Sequence, residues 1–296
     1  MKITYSQAIN RALTEEMKRN RNLVCFGLGV NDSLKFFGTT KGLEEKFGSE
    51  RVFETPTSEN AMTGIGIGMS LYKNPCVMLH QRLDFFLLAM DQLVNSAAKW
   101  HYMFGGQKGV PITIRLIVGK GWGQGPTHSQ SLQSWFAHIP GLKVVMPALP
   151  SDAYSLLKAS IRDPNPVIFI EHRWLHGVEE EKIKIKPIKS KITPELLSKG
   201  KHFTAVTYSL STIEMLALKD SLNKKNIFFD LIDLKSIKPL DLKLVEKSLK
   251  KTKKLLILDS ISHPICSVGS STCLSAQLAK RKVILAKIIR KYNFFI

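Results

Sequence analysis

Residues 52–80 read VFETPTSENAMTGIGIGMSLYKNPCVMLH. Val52-Phe53-Glu54 is a short apolar run that ends at Pro56, a residue with no backbone donor to continue a ladder. Ser58 is of a type favoured at helix N-caps, and Glu59 falls in the first turn of a helix that extends to Tyr72. Gly64, Gly66 and Gly68 lie inside that helix and allow close packing against a neighbour. Pro75 to His80 then forms a second buried strand. A strand, a helix and a strand within about 30 residues form the unit that joins parallel strands.

The same alternation continues on both sides of this unit. Upstream, Ala8, Ile9, Leu13 and Met17 have helical spacing, and Leu23 to Gly27 is a short buried strand. Downstream come a long helix over about Phe85–Met103, a strand over Val110–Val118 and a Gly-rich loop. A helix over Ser131–His138, a strand over Lys143–Met146, a helix over Ser151–Arg162 and a strand over Pro166–Ile170 follow. Apolar runs between helices predict an α/β fold, a mostly parallel sheet covered on both faces. Apolar density falls after Gly177, so the expected organisation is a first domain at 1–177, a linker at 178–201 and a smaller α/β domain at 202–296.

The chain has 296 residues, 44% of them hydrophobic, which is enough to bury a core without disulfides or metals. Its net charge of +19 comes from 43 basic and 24 acidic side chains. The basic residues are 33 Lys and only 10 Arg, dispersed along the linker and the second half, a pattern of solvated faces. Nucleic-acid binding is therefore not expected, since Arg is favoured there for its bidentate fork. Cys25, Cys76, Cys266 and Cys273 have no metal-ligand spacing, and there is neither a signal core nor an 18-residue apolar run. The expectation is a cytoplasmic protein without membrane attachment.

Three segments could carry chemistry. In the first, Glu59 either complements the helix dipole or serves a ligand. The glycines after it are not a dinucleotide fingerprint, because they lie inside the helix and leave phosphates no loop to sit in. The second, Val118 to Gln130, places four glycines around Trp122 and His128 after a strand, where open α/β sheets bind ligands. The third, His80-Gln81-Arg82-Leu83-Asp84-Phe85, is either a salt-bridged cap or the wall of a polar pocket.

Taken with Met90 to Lys99, Tyr102 to Gln107, Pro140 to Pro147, Ile161 to Pro166 and Ile232 to Asp241, these segments resemble one family along nearly the whole chain. It is the beta subunit of the thiamine-diphosphate-dependent decarboxylating component of 2-oxo-acid dehydrogenases, of the pyruvate and branched-chain type, in the transketolase-like superfamily. The resemblance implies a pyrimidine-binding domain followed by a transketolase C-terminal-type domain. It implies oxidative decarboxylation of a 2-oxo acid with acyl transfer to lipoamide. Glu59 matches the glutamate that hydrogen-bonds the cofactor's aminopyrimidine and promotes its imino form, and Phe85 matches the aromatic stacked on that ring. Gln81 falls among the cofactor contacts, and His128 matches the histidine that stabilises intermediates or assists acyl transfer. A potassium ion held largely by backbone carbonyls would fall at Ile112, Ser160, Ile161, Asp163 and Asn165.

Relatives hold the cofactor diphosphate through Mg²⁺ with a Gly-Asp-Gly segment, and this sequence contains none. The resemblance therefore implies an alpha-type subunit that carries the diphosphate and Mg²⁺, a second copy of this chain, and a two-plus-two heterotetramer. Three departures qualify it. Leu28 stands where an acidic residue is usual, and Arg82 and Asp84 make the pocket wall more charged, pointing to a substrate more polar than pyruvate. The tail after Gly269 is short, which leaves docking on a lipoyl-bearing acyltransferase core open. Two alternatives stand beside the leading one: a two-chain transketolase-like enzyme passing a ketol or acyl group to a non-lipoyl acceptor, and a non-catalytic scaffold subunit.

Overall fold

Val, Ile, Leu and Phe dominate the short runs between helices, and these runs become the strands of a seven-stranded sheet. The computed structural model describes residues 2–119, 123–183 and 192–259, and the backbone of a strand at 282–286. The first part of the chain runs β1 (Ile3–Thr4), α1 (Tyr5–Arg19), β2 (Val24–Gly27), α2 (Leu43–Phe47), β3 (Val52–Glu54), α3 (Glu59–Leu71) and β4 (Cys76–His80). It continues through α4 (Leu83–Phe86), α5 (Ala98–Met103), β5 (Ile112–Val118), α6 (Gln133–His138), β6 (Lys143–Val145), α7 (Pro150–Ile161), β7 (Val167–His172) and β8 (Glu179–Glu180). Then come β9 (Glu195–Ser198), β10 (Thr204–Thr207), α8 (Leu210–Lys224), β11 (Asp230–Asp233), β12 (Ser236–Lys238), α9 (Lys243–Thr252), β13 (Lys254–Leu258) and β14 (Lys282–Ala286).

The large sheet has the order β12-β6-β7-β5-β4-β2-β3, and every pair except β12 with β6 is parallel. Successive side chains of one strand enter opposite cores. Phe26 and Met78 join the cluster under α3 and the helical segment after β4, whereas Cys25, Val77 and Leu79 join the cluster containing Leu13 of α1 and Leu157 of α7. Both faces are thus covered, which is why the strands read as continuous apolar runs. Among the described residues, no helix is long and apolar enough to cross a membrane.

The long helix expected over about Phe85–Met103 is present, but its winding is uneven. The segment is helical from Leu83 to Met103, but it tightens to a 3₁₀ turn at Leu87–Ala89 and widens to a π-helix at Gln92–Ala97. Its buried side chains explain the change of winding. Leu83, Phe86 and Ala89 are three apart, and Ala89, Leu93 and Ala97 are four apart, so the backbone overwinds and then underwinds to keep them on one face.

The second sheet has the order β14-β13-β10-β11-β9. Within the stretch read as a linker, β8 pairs with β1 and β9 pairs antiparallel with β11; residues 184–191 lie outside the described residues, as do Gly269 and the residues following it up to the strand at 282–286. After β11 the chain returns to the first sheet as β12, so one segment stitches the two sheets together. Lys235 secures this crossing by pairing with Asp152 at the start of α7, at 2.8 Å, and with Glu195. Asp233 is fully buried beside them, accepting from the Thr212 hydroxyl at 3.2 Å and the Lys235 amide at 3.3 Å. Burial, with the negative charge of Asp152 acting in the same direction, pushes its carboxyl up to about 7.

The folded chain therefore holds the Asp233 proton more tightly than the unfolded chain, and stability attached to it is lost as pH rises from about 4 to about 7. Asp233→Asn keeps an acceptor for Thr212 and Lys235 without a charge. The stability of D233N relative to wild type should rise by about 2–4 kcal/mol between pH 4 and pH 7, measured by denaturant titration across that range.

Candidate functional site

Parallel strands bring their carboxyl ends to one edge, and there Gly27, Glu54, His80, Val118 and His172 close β2, β3, β4, β5 and β7. Loops from five strands meet at this edge, the usual ligand-binding crevice of such sheets. A cleft of about 250 Å³ opens among them. Leu28 and Phe85 supply its apolar surface, and Gln81, Arg82, Gln124 and His128 its polar one, with His80 also in the lining. The structure thus assembles four of the residues singled out from sequence: Gln81, Arg82, Phe85 and His128. Phe85 is 41% exposed, and the His128 ring stands edge-on to it, 5.2 Å between centroids. The Thr127 hydroxyl lies 3.1 Å from His128 Nδ1.

Glu59 sits at the same sheet edge, on the first residue of α3, but is not part of the cleft lining. It is 7% exposed. Its carboxylate makes no hydrogen bond or ion pair with the described residues, whereas its backbone carbonyl accepts from the Thr63 hydroxyl at 2.7 Å. Ser58 occupies the N-cap position, but its hydroxyl makes no capping bond, a correction to the expected cap; its carbonyl takes the Met62 amide at 2.9 Å. Gly66 justifies the glycine-rich helix, since a Cβ there would lie 3.0 Å from both Ile112 and Phe26.

Asp84 is buried and acts inward, accepting the Gln130 amide at 3.1 Å and so fastening the loop that carries His128. The five residues expected around potassium gather at the opposite edge, where Ile112 starts β5 and Ser160, Ile161, Asp163 and Asn165 lead into β7. There Asp163 pairs with Lys143, and the Ser160 carbonyl takes the Asp163 amide at 3.1 Å. Among the described residues no group of three His, Cys, Asp or Glu side chains is placed to hold a metal ion.

Several residues that build the site were not singled out from sequence. The Glu54 carboxylate accepts the amides of Gly29, at 2.6 Å, and Asn31, at 2.9 Å, clamping the loop after β2. Gln81 donates to Asp32 at 2.6 Å across Gly29, whose φ of +84° and missing Cβ leave the passage open. Arg115 of β5 pairs with Glu171 at 2.7 Å and reaches the same loop farther along, donating to Thr39 at 3.2 Å and lying over the Phe36 ring. Burial works to raise the Glu171 carboxyl, but Arg115 and His176 override it and hold it below the usual range. A Glu that ends a strand just before a proline, and a lone Arg inside an apolar strand, were the available signals.

The family profile described as the transketolase pyrimidine binding domain matches residues 1–177, and that of the transketolase C-terminal domain matches 194–287. The chain is 37% identical over 281 residues to the mitochondrial pyruvate dehydrogenase E1 component subunit beta-2 of Oryza sativa, covering 92% of this chain and 73% of that one. It is 36% identical over 294 residues to the acetoin:2,6-dichlorophenolindophenol oxidoreductase subunit beta of Cupriavidus necator, covering 95% and 85%. A solved split-gene transketolase, an inactive beta4 tetramer, superposes with a TM-score of 0.79 over 97% of this chain and 89% of its own at 20% identity, a likeness of fold.

Replacing one acceptor oxygen of Glu54 by a donor should free the loop after β2. Glu54→Gln is expected to cost about 1–3 kcal/mol of stability and to speed amide exchange at Gly29 or Asn31, read by hydrogen-exchange mass spectrometry.

Proposed function

The chain belongs to the transketolase-like family of beta subunits that includes those of the pyruvate dehydrogenase E1 component, and from that membership we propose that it is the beta subunit of a two-chain, thiamine-diphosphate-dependent enzyme that decarboxylates a 2-oxo acid and passes the acyl group to lipoamide. The observation that carries the proposal is Glu59, a largely buried residue whose carboxylate has no partner among the described residues, at the edge where the strands end. A buried charge without a counterpart is costly, so a structural carboxylate is normally paired. Glu54 and Glu171 at the same edge are paired, and Glu59 is not.

When bound, thiamine diphosphate supplies the electron sink for cleaving the bond beside a 2-oxo group. Glu59 would hold the aminopyrimidine ring nitrogen and exchange a proton with it. Phe85 offers a half-exposed ring for stacking, and Gln81 is oriented beside it through its bond to Asp32. His128, edge-on to Phe85, would donate to the substrate oxygen or assist the acyl transfer. The diphosphate and Mg²⁺ belong on an alpha-type partner in this reading, because the sequence has no Gly-Asp-Gly. A two-plus-two assembly follows from two such shared sites. Ile112, Ser160, Ile161, Asp163 and Asn165 would hold a potassium ion at the far edge, where it could stiffen the turn into β7 without touching reactants.

A second reading has its own support. Arg82, Gln124 and His80 make the cleft more polar than a methyl-bearing substrate requires, which favours transfer to a non-lipoyl carbonyl acceptor. Both readings need Glu59. In the reconstituted two-chain enzyme, Glu59→Gln should lower decarboxylation of the 2-oxo acid by about 10²–10⁴-fold with the complex still assembled. Unchanged turnover would leave only a scaffold role.

A further inference from the structure

A histidine ring inside an apolar core is normally held by a hydrogen bond, since a buried polar group left unpaired is unfavourable. His80 departs from that rule. It is the last residue of β4 and 1% exposed, and neither Nδ1 nor Nε2 has a hydrogen-bond partner among the described residues. Side chains alternate across a strand, so His80 lies on the same face as Met78, in the cluster that also holds Phe86 and Leu116. Phe86, fully buried, packs edge-on against the imidazole with 4.8 Å between ring centroids. That contact orients the ring but supplies no lone pair for its N–H and no proton for its bare nitrogen.

The same residue lines the cleft at the carboxyl edge of the sheet, together with Phe85 and His128. The amides in that lining are turned elsewhere: Gln81 donates to Asp32 at 2.6 Å, and Gln124 Oε1 accepts from Arg82 at 2.6 Å. A molecule seated in the cleft is therefore the partner the ring is placed to meet. Burial pushes the imidazole down to about 3, so it is neutral at ordinary pH. A neutral imidazole carries one N–H and one bare nitrogen, a donor and an acceptor. Carboxylate or phosphate oxygens could use only the donor and would favour a protonated ring, which burial opposes. An alkyl group would use neither nitrogen. A hydroxyl both donates and accepts, and it matches the ring in either tautomer.

We propose that His80 is a specificity-determining residue that hydrogen-bonds a hydroxyl group of the substrate from the wall of the cleft. This rests on the proposed function, and it narrows the substrate to a hydroxylated 2-oxo acid. A site built around a substrate hydroxyl discriminates against the analogue lacking it, because the buried group is then left unpaired. The test uses the reconstituted two-chain complex, with H80F, H80L and H80Q beside wild type. Values of kcat and KM are measured for hydroxypyruvate against pyruvate and for the pair one methylene longer, and binding of each compound is followed by calorimetry. Wild type should favour a hydroxylated member at least tenfold in kcat/KM. H80F and H80L should cut that preference tenfold or more, chiefly by raising KM for the hydroxylated compound. H80Q, which keeps a donor and an acceptor, should retain part of it. Pyruvate decarboxylation with no preference for a hydroxylated compound overturns the role of His80 and leaves the proposed function standing. Tighter binding of the hydroxylated compounds, lost in H80F and H80L, in a complex that decarboxylates nothing supports the role and removes the proposed function. Equal binding, or none, in such a complex overturns both. A raised KM for thiamine diphosphate in the apolar variants with the preference unchanged gives the ring to the cofactor and overturns the substrate assignment.

Discussion

Parallel pairing of β3, β2, β4, β5 and β7 is the constraint on which everything else in this protein depends. A parallel ladder forces every crossover helix onto a face and leaves the strand ends free on the edges. Because the strands share one direction, residues a hundred positions apart, such as Leu28 and His128, end on the same side of the molecule. The cleft is a consequence of register: His80 lies opposite Leu116, and Val118 opposite His172, so the loops leave the sheet at nearly one level.

Carboxylates at this edge divide by partner. Glu54 is spent on two backbone amides, Asp84 on one, and Glu171 on Arg115 and His176. These interactions act on loops: they fix the segment after β2 and the segment carrying His128. Truncating a member of such a buried pair leaves its partner uncompensated, so the loops are held by groups that cannot be removed cheaply. Glu59 has no such assignment, and its burial makes sense when another molecule supplies the counterpart. Rigid supports around one open carboxylate are what a preorganised site requires.

The same edge also differs from a simple apolar pocket. Leu28 and Phe85 supply apolar surface, while Arg82, Gln124 and His80 bring polarity.

Sequence alone determined the alternation of strands and helices, because apolar runs bounded by Pro and Gly are local signals, and it carried the motifs that made Glu59, Phe85 and His128 recognisable. The identity of the cleft residues Gln81 and Arg82 was legible from their place just after a strand. Tertiary structure decided the rest. The uneven winding between Leu83 and Met103 follows from the surface that the helix packs on, and the return of β12 to the first sheet follows from pairing across about 90 residues. Glu54's clamp and Arg115's pairing with Glu171 arise only when separate strands lie side by side. Hydrogen bonds and charge proximity depend on distance in space, and no periodicity along the chain encodes that distance.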